Sequence, residues 1–321
     1  MTKFSLVLLL SLVALGAGPM PVPHASAATH ADGELEIKVV DAESQQPIAA
    51  RMHLKDHRGQ TVKPKVPGPP QYADHFYIDG RVALPLMRGQ YTFELEAGPE
   101  YKTQNGHFEI DRHADDSKTI EMHRFADLAK EGWWSGDLDV SRPLAALPLA
   151  MAAENLNVVA ATARQNIDGK WNEVVETKRN DSNSNPDTRV FGPWAELDQR
   201  TGGGLLLFGL SKPIDLSAAT ATNPSSLSVL QNVKKIEARA VARTPFAWDL
   251  PVWLASGQLD AIQLIHQHEL REGVVDNEDD GRPRDLKLFP GRAGNGRWSE
   301  TIYYHVLNCG LRVPPVAGSG S

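Results

Sequence analysis

The chain has 321 residues, of which 41% are hydrophobic and 23% are charged, so it is long enough for two domains with buried cores. It carries 33 lysines and arginines against 40 aspartates and glutamates, a formal net charge of -7, which argues against a nucleic-acid partner because phosphates require clustered basic surface. The single cysteine, Cys309, excludes an intramolecular disulfide and a zinc site built on cysteine thiolates.

The N-terminus has the pattern of a secretory signal peptide. Lys3 gives a basic start, an apolar run follows over Phe4–Gly18, and Ala25-Ser26-Ala27 provides the small residues of a cleavage site. We therefore predict that residues 1–27 are removed and that the mature protein is exported, either to the periplasm or out of the cell. No later segment approaches the ~18 consecutive apolar residues of a transmembrane helix, so no membrane span is expected in the mature chain.

Residues 33–126 have the pattern of a small β-sandwich. Glu34–Val40 alternates polar and apolar residues, as a half-buried strand does. Turn residues, among them Asp79-Gly80 and Gly98-Pro99, separate the further short strands that we predict. These strands are Ile48–Leu54, Arg81–Leu86, Gln90–Ala97, Gly106–Ile110 and Lys118–His123.

Three segments of this first half resemble a known accessory module. Gly33–Asp41, Pro47-Ile48 and Gly89-Gln90-Tyr91 are similar to the opening strand, the following step and the G-x-Y strand of the carboxypeptidase-regulatory or prealbumin-like β-sandwich. The resemblance implies that this half serves packing or attachment rather than chemistry.

Residue types change near residues 124–132, which indicates a domain boundary there. All seven tryptophans follow residue 130, whereas eight of the eleven histidines precede it. In residues 131–321, predicted strands alternate with predicted helices, which favours an α/β layer or barrel with a parallel sheet. The strands are Leu156–Ala163, Gly204–Leu210, Ile236–Ala242 and Leu259–Ile265, and the helices are Leu144–Glu154, Asp249–Ser256 and Arg297–Asn308. The Gly/Ser-rich segment Ala317–Ser321 predicts a flexible tail and a barrel that is either truncated or shortened at its C-terminus.

The segment Gly132–Pro143 (GWWSGDLDVSRP) resembles the opening motif of metallohydrolases of the polymerase-and-histidinol-phosphatase (PHP) superfamily, in the secreted carbaryl-esterase-like branch. That resemblance implies a distorted, TIM-like α/β barrel and metal-dependent hydrolysis of an ester, phosphoester or amide. The family has H-x-H where this chain has Asp139 and Ser141. Two later ligand elements of the family align with Arg164 and with Arg243-Thr244-Pro245, so neither retains an imidazole.

Candidate metal ligands remain in the second half despite these substitutions. His266-Gln267-His268 follows a predicted strand, and its two rings share one face because side chains alternate along a strand. These rings are suited either to one metal ion or to hydrogen bonds with neighbouring groups. The predicted ligands are Asp139, Glu196, Asp249, His266 and His268.

Arginines near predicted strand ends and in a Gly/Pro-rich loop are candidates for substrate binding, because a guanidinium presents a rigid fork to carboxylates and phosphates. They are Arg142, Arg164, Arg282 and Arg284. The alternative for the loop arginines is pairing with the acidic segment Asp276–Gly281, which lacks the last ligand of a calcium-binding loop because position 12 is Lys287.

The sequence thus predicts an α+β protein of two domains, a β-sandwich followed by a PHP-like α/β barrel. Two functions stay open. One is hydrolysis with one divalent metal, either zinc, manganese or iron, acting on a small molecule or a carbohydrate. The other is a catalytically inactive protein without metal that binds an anionic or carbohydrate ligand.

Overall fold

A computed structural model describes residues 31–63, 71–167, 169–174, 183–185, 189–210, 214–216, 218–271, 273–279 and 281–321. The predicted signal peptide lies outside these residues. Strand accounts for 41% of the structure and helix for 18%.

The first half of the chain forms one hydrogen-bonded sheet of seven strands in the order β6-β5-β2-β3-β4-β1-β7. Its strands are β1 (Gly33–Asp41), β2 (Ala49–Asp56), β3 (Phe76–Asp79), β4 (Arg81–Leu86), β5 (Gly89–Glu96), β6 (Gln104–Ile110) and β7 (Asp115–Met122). The Asp79–Arg81 pair, across a turn in which Gly80 adopts φ +70°, is the pairing that joins β3 to β4. The sheet therefore folds into two layers at this turn, with β6-β5-β2-β3 in one layer and β4-β1-β7 in the other.

The two layers enclose a shared apolar core. In β1, Leu35, Ile37 and Val39 are buried while the residues between them are not, as the alternation of Glu34–Val40 predicts. Side chains from both layers, such as Met52 and Leu84, are completely buried in the same cluster. Each such side chain contributes about 1.5–3 kcal/mol on burial, so this core accounts for the packing of the two layers.

The second half forms a nine-stranded sheet with four helices around it. The main path runs β10-β9-β12-β13-β14-β15-β18, with β8 also paired to β9 and β11 to β12. Its strands are β8 (Gly136–Val140), β9 (Val158–Ile167), β10 (Lys170–Glu173), β11 (Asn183–Asn185), β12 (Arg189–Arg200), β13 (Gly203–Phe208), β14 (Arg239–Ala242), β15 (Ala261–Ile265) and β18 (Pro315–Ala317). The helices are α1 (Leu147–Ala153), α2 (Ser226–Lys235), α3 (Leu250–Ala255) and α4 (Ala293–Asn308), and β16 (Glu269–Leu270) pairs with β17 (Gly273–Val274) in a small separate hairpin.

The predicted PHP-like, TIM-like α/β barrel is wrong. Strands far outweigh helices, and the sheet is mixed because β13 runs antiparallel to both β12 and β14. The strand β12 has no counterpart in the sequence prediction, which placed no strand between residues 163 and 204. It connects to β13 through the short turn at Thr201-Gly202, where an α/β barrel requires a helical crossover to the next parallel strand.

The nine-stranded sheet curls into a nearly closed barrel. β15 pairs with β18, and the residues after β18 are hydrogen-bonded to β8: Gly320 N–H donates to Asp139 O at 2.7 Å and Ser319 N–H donates to Asp137 Oδ1 at 2.9 Å. The segment that the composition predicts as a flexible tail is thus tied to the first strand of the sheet.

Helix α1 lies between the two sheets. Pro148 lies in the first turn of the helix. Backbone N–H groups in this turn form no hydrogen bond within the helix, so the N–H that proline lacks costs no helical bond. Ala150 and Ala153 pack against Tyr77 of β3, while Leu147 and Met151 pack on the other sheet. Small residues on one face and large ones on the other bring the two sheets close together along this helix.

Among the helices of the described ranges, none has the length and apolar character required to cross a membrane.

Candidate ligand site between the two sheets

Asp139, the first predicted metal ligand, forms an ion pair with Arg243. The Asp139 carboxylate on β8 is completely buried, and Arg243 donates to it from Nε at 2.8 Å and from Nη2 at 3.4 Å. Gln263 on β15 adds a longer contact from Nε2 at 3.5 Å. The guanidinium thus balances the charge of this carboxylate inside the barrel.

Glu196, the second predicted ligand, is paired in the same way. It lies beside Arg164 in the parallel pairing of β12 with β9. Nη2 of Arg164 lies 3.1 Å from each carboxylate oxygen of Glu196, and the guanidinium also covers the ring of Trp171 at 4.5 Å. Arg164, predicted to bind substrate, is therefore held by a carboxylate on one side and an aromatic face on the other.

Asp249 lies apart from this pair, at the start of α3. Its carboxylate accepts a short hydrogen bond from Ser226 on α2. It lines a cavity of about 460 Å³ with Arg200 and Trp248, and neither Asp139 nor Glu196 lines that cavity. Asp249 thus serves the packing of α2 on α3.

His266 and His268 do lie together after β15, with their ring centroids 5.3 Å apart. His266 is completely buried, its Nε2 lies 3.2 Å from Ser299 Oγ, and its Nδ1 accepts from the backbone N–H of His268 at 3.4 Å. Burial, together with the nearby charges of His268 and Arg243, lowers the pKa of His266 to about 3. The ring is neutral, and hydrogen bonds occupy both of its nitrogens, which leaves no lone pair for a metal.

The five predicted ligands are therefore not assembled into one metal site. Within the described ranges, the group of three ligand-type side chains that lie close enough together for a metal ion is His53, Asp74 and His75, in the first sheet. The sequence analysis assigned that sheet to packing or attachment.

Of the two predicted loop arginines, one forms ion pairs and the other is exposed to solvent. Arg284 is buried and forms ion pairs with Asp276 and Glu278, which is the pairing alternative. Arg282 is exposed, and its backbone carbonyl accepts from Trp298 Nε1 at 3.3 Å. The two loop arginines do not form an anion pocket with Arg142 or Arg164, which contact other partners.

Arg142 lies between the two sheets and has a different environment. Its Nη1 donates to the hydroxyl of Tyr77 at 3.0 Å, and its guanidinium lies 4.0 Å above the ring of Tyr72. The Tyr77 hydroxyl donates to Glu154 at 3.2 Å, and Glu154 accepts from Arg51 at 2.8 Å. A continuous polar chain thus connects the segment after β8 to strands β2 and β3.

This chain borders a cavity of about 320 Å³ between the sheets, at the small end of the range of ligand pockets. Leu147, Met151 and Val159 form an apolar wall, and Ile265 and Ala317 close the side next to β15 and β18. The polar side chains at the cavity are Arg51, Tyr77, Asp137, Arg142, Glu154, Glu269, Ser319 and Ser321.

The carboxyl groups around this cavity hold their protons more tightly than usual. Burial raises the pKa of Asp137 despite its hydrogen bonds to Ser319 and Asp139 N–H. Burial likewise raises the pKa of Glu154, with Arg51 opposing the change, and burial raises the pKa of Glu269. The cavity thus favours neutral carboxyl groups next to the guanidinium of Arg142.

Sequence reasoning found Arg142 but missed its partners. Tyr72, Tyr77 and Arg51 belong to the sheet that was assigned to packing, and Arg142 follows them by 65 residues or more. The strand β3, which buries Tyr77, has no counterpart among the predicted strands, and nothing in its local sequence indicates that the Tyr77 hydroxyl meets an arginine. The Asp74-His75 pair and the concentration of histidines before residue 130 were the available signals.

No protein-family profile matches the chain, and no curated protein sequence matches it. Among solved structures, the TIE protein of Bacillus anthracis is 18% identical over 35% of this chain and 19% of its own, with a TM-score of 0.23. The major pilin subunit BcpA of Bacillus cereus is 16% identical over 29% of this chain and 30% of its own, with a TM-score of 0.21. The 5-hydroxyisourate hydrolase of Klebsiella pneumoniae is 13% identical over 30% of this chain and 96% of its own, also with a TM-score of 0.21. This chain spans less than a third of the first two proteins, and similarities this weak identify neither its fold nor its function.

Proposed function

We propose that the protein is a ligand-binding protein that takes a small organic anion in the cavity between its two sheets, with Arg142 contacting the anionic group. The observation that carries the proposal is the set of contacts that the Arg142 guanidinium makes in the described part of the chain. Its guanidinium is braced by Tyr77 and Tyr72, and its described hydrogen bonds include none to a carboxylate. Arg164, Arg243 and Arg284 each have such a partner.

The ion pairs of the second sheet support binding over metal-dependent hydrolysis. A divalent cation at Asp139 or Glu196 has to displace a guanidinium that already neutralises the carboxylate. Breaking one such pair leaves an uncompensated buried charge, at a cost of about 3–5 kcal/mol. Hydrolysis therefore stays a prediction from sequence resemblance, and the described contacts favour ligand binding over hydrolysis.

The cavity favours a particular chemical class of ligand. Its apolar wall of Leu147, Met151 and Val159 suits a hydrocarbon portion, and the guanidinium of Arg142 suits a carboxylate or phosphate oxygen. Burial raises the pKa values of Glu154 and Asp137, which favours the protonated forms that donate hydrogen bonds to an anion. A monocarboxylate with a small apolar body satisfies all three features.

Calorimetric titration of the full chain with benzoate, succinate and inorganic phosphate tests the proposal. We expect benzoate to bind with a stoichiometry of one, and Arg142→Gln to weaken that binding at least tenfold. Arg282→Gln is the matched control, because Arg282 was predicted for the same role and is exposed. Absence of binding by all three anions, or equal binding by both variants, contradicts the proposal.

We also propose that the protein acts after export, on the evidence of the predicted signal peptide at residues 1–27. Expression of the full chain in a Gram-negative host, fractionation and N-terminal sequencing test this. The expected N-terminus of the exported form is Ala28. A product that retains Met1 in the cytoplasmic fraction contradicts export.

A further inference from the structure

Two histidines and an aspartate lie together where β2 meets β3. The antiparallel register pairs Met52 with Phe76, which places His53 of β2 close to Asp74 and His75 just before β3. The rings of His53 and His75 are 5.4 Å apart, and both residues are at least nine-tenths buried. One ring nitrogen of each histidine and a carboxylate oxygen of Asp74 lie within 4.8 Å of one another.

Asp74 fixes the protonation pattern of both rings. Nδ1 of His53 lies 3.1 Å from the backbone carbonyl oxygen of Asp74, and Nδ1 of His75 lies 2.7 Å from its carboxylate. Both partners are acceptors, so each Nδ1 carries a proton, and the Nε2 of a neutral imidazole then keeps its lone pair. Both Nε2 atoms are buried without a hydrogen-bond partner in the described part of the chain.

A buried lone pair without a donor is unfavourable, and here another acceptor faces it. Nε2 of His53 lies 3.5 Å from Oε2 of Glu96, a carboxylate that also pairs with Arg51 and Arg271. Two acceptors facing each other in a buried site repel unless a cation lies between them. A proton on Nε2 of His53 or a metal ion held by the cluster removes this repulsion.

We infer that this cluster binds one divalent first-row transition metal, with Zn²⁺ as the ion its donors suit best. One ring nitrogen of His53, one ring nitrogen of His75 and a carboxylate oxygen of Asp74 are the ligands, because these three atoms lie within 4.8 Å of one another. Before a metal binds, Asp74 orients both rings by accepting from their Nδ1–H groups, from His53 with its backbone carbonyl and from His75 with its carboxylate. Two imidazoles and a carboxylate form a common zinc donor set.

The surrounding charges tolerate the added cation. The network of ion pairs contains the carboxylates of Asp74, Glu94, Glu96 and Glu154 and the guanidiniums of Arg51 and Arg271. Carboxylates outnumber guanidiniums in this network. Ligands of tetrahedral zinc lie about 3.3–3.5 Å apart for bonds of about 2.0–2.1 Å, so the side chains need to close by about an ångström.

The metal cluster is adjacent to the ligand cavity but does not depend on it. The His75 ring stacks on Tyr72 with a centroid distance of 4.8 Å and meets Tyr77 edge-on at 5.3 Å. These two tyrosines also contact Arg142. Metal binding therefore fixes the rings that brace this arginine, whereas the metal site itself stands on His53, Asp74 and His75 whatever the cavity binds.

The test is calorimetric titration of ZnCl₂ into the full chain after treatment with EDTA and removal of the chelator. We expect one Zn²⁺ per chain. His53→Gln, His75→Gln and Asp74→Asn are each expected to abolish stoichiometric binding, because each removes one of the three ligand groups. Circular dichroism verifies that each variant is folded.

Two matched variants make the result specific. His107→Gln removes an exposed histidine of β6 in the same sheet, and His268→Gln removes a ligand predicted from sequence in the other sheet. Both are expected to leave Zn²⁺ binding unchanged. Equal binding by His75→Gln and the unchanged chain, or loss of binding in His268→Gln, overturns the inference.

X-ray absorption at the zinc edge tests the unsubstituted chain, so that the inference does not depend on variants that fold. Two imidazole ligands and one or more oxygen ligands are expected. A spectrum with oxygen ligands alone, or no stoichiometric zinc at all, overturns it.

Discussion

Arg243 donates to Asp139 across the interior of the nearly closed barrel, with 2.8 Å between Nε and Oδ2, and the carboxylate that it meets is completely buried. Asp139 lies on β8, whereas Arg243 follows β14, so the contact joins two strands that are not neighbours in the sheet. In the predicted resemblance to PHP metallohydrolases, Asp139 stands at the first position of the H-x-H motif, and Arg243 belongs to the segment Arg243-Thr244-Pro245, which aligns with a later His-Pro element. In this structure the guanidinium of Arg243 supplies the positive charge, and the carboxylate of Asp139 is its ion-pair partner.

Loss of Arg243 is expected to destabilise the fold strongly. Arg243→Met leaves the Asp139 carboxylate buried without its cation, which costs about 3–5 kcal/mol in the free energy of unfolding. Adding Asp139→Asn to that variant removes the unpaired charge and is expected to recover at least about 1 kcal/mol. Urea denaturation followed by tryptophan fluorescence measures both effects.

Arg239→Met is the control for this prediction. Arg239 belongs to β14, is 67% exposed and pairs with Asp260 at 3.2 Å, so its loss is expected to cost less than about 1 kcal/mol. Equal effects of Arg239→Met and Arg243→Met contradict a special role for the buried pair.

The strand β12 shows where the sequence reasoning for the fold ended. Alternation located β1, and apolar runs located β9, β13 and β15, because in each case the side chains of that one segment determine its burial. Gly192-Pro193 interrupts β12 and argues against a strand, since proline cannot donate to a ladder. The register between β12 and β9 shifts between Gly192 and Ala195, and this irregularity accommodates the proline. The pairing partner, which no local pattern reveals, thus decided the topology.

The candidate ligand site likewise depends on contacts that a local sequence pattern does not reveal. The sequence identified Arg142 as an anion-binding candidate from its place beside a predicted strand end. Its partners Tyr72 and Tyr77 lie in the other sheet, and the cavity exists because α1 packs the two sheets together. A site built from two sheets is determined by how they pack, and the sequence of either half alone does not specify that packing.

Acid is expected to destabilise the protein through His266. Its pKa in the folded chain, about 3, lies below the value of about 6.5 that it takes when unfolded. The unfolded state therefore binds the proton first as the pH falls, and stability that is present above pH ~6.5 is lost progressively towards pH ~3. Between pH 7 and pH 4 the unsubstituted chain should lose about 3 kcal/mol more than His266→Gln does. Urea denaturation at the two pH values gives the difference.

The exposed His107 provides the comparison for that result. His107→Gln should show the same loss between pH 7 and pH 4 as the unsubstituted chain. If His266→Gln also shows that loss, the buried imidazole is not the source of the acid sensitivity.

Two glycines of α4 are expected to respond oppositely to the same substitution. Gly296→Ala meets no atom closer than 3.5 Å, and replacing glycine inside a helix raises the free energy of unfolding by about 0.5–1 kcal/mol. At Gly294, two residues earlier, an added Cβ comes within 2.1 Å of the backbone oxygen of Phe289. Gly294→Ala should therefore be destabilising despite the gain in helix propensity. Thermal unfolding of both variants checks the signs, and two changes of the same sign contradict this account.

The hydroxyl of Tyr77 couples the two sheets, and its removal should affect both stability and ligand binding. It accepts from Arg142 at 3.0 Å and donates to Glu154 at 3.2 Å, so Tyr77→Phe breaks two contacts while the ring keeps its place on β3. The expected loss is about 1–2 kcal/mol in the free energy of unfolding, together with weaker benzoate binding, because Arg142 then rests on Tyr72 alone. Tyr91→Phe removes a hydroxyl that donates to Met87 within the first sheet, so it should cost a similar stability but leave benzoate binding unchanged. Urea denaturation and calorimetry of both variants separate the two effects, and equal benzoate affinities for Tyr77→Phe and Tyr91→Phe contradict the role assigned to the Tyr77 hydroxyl.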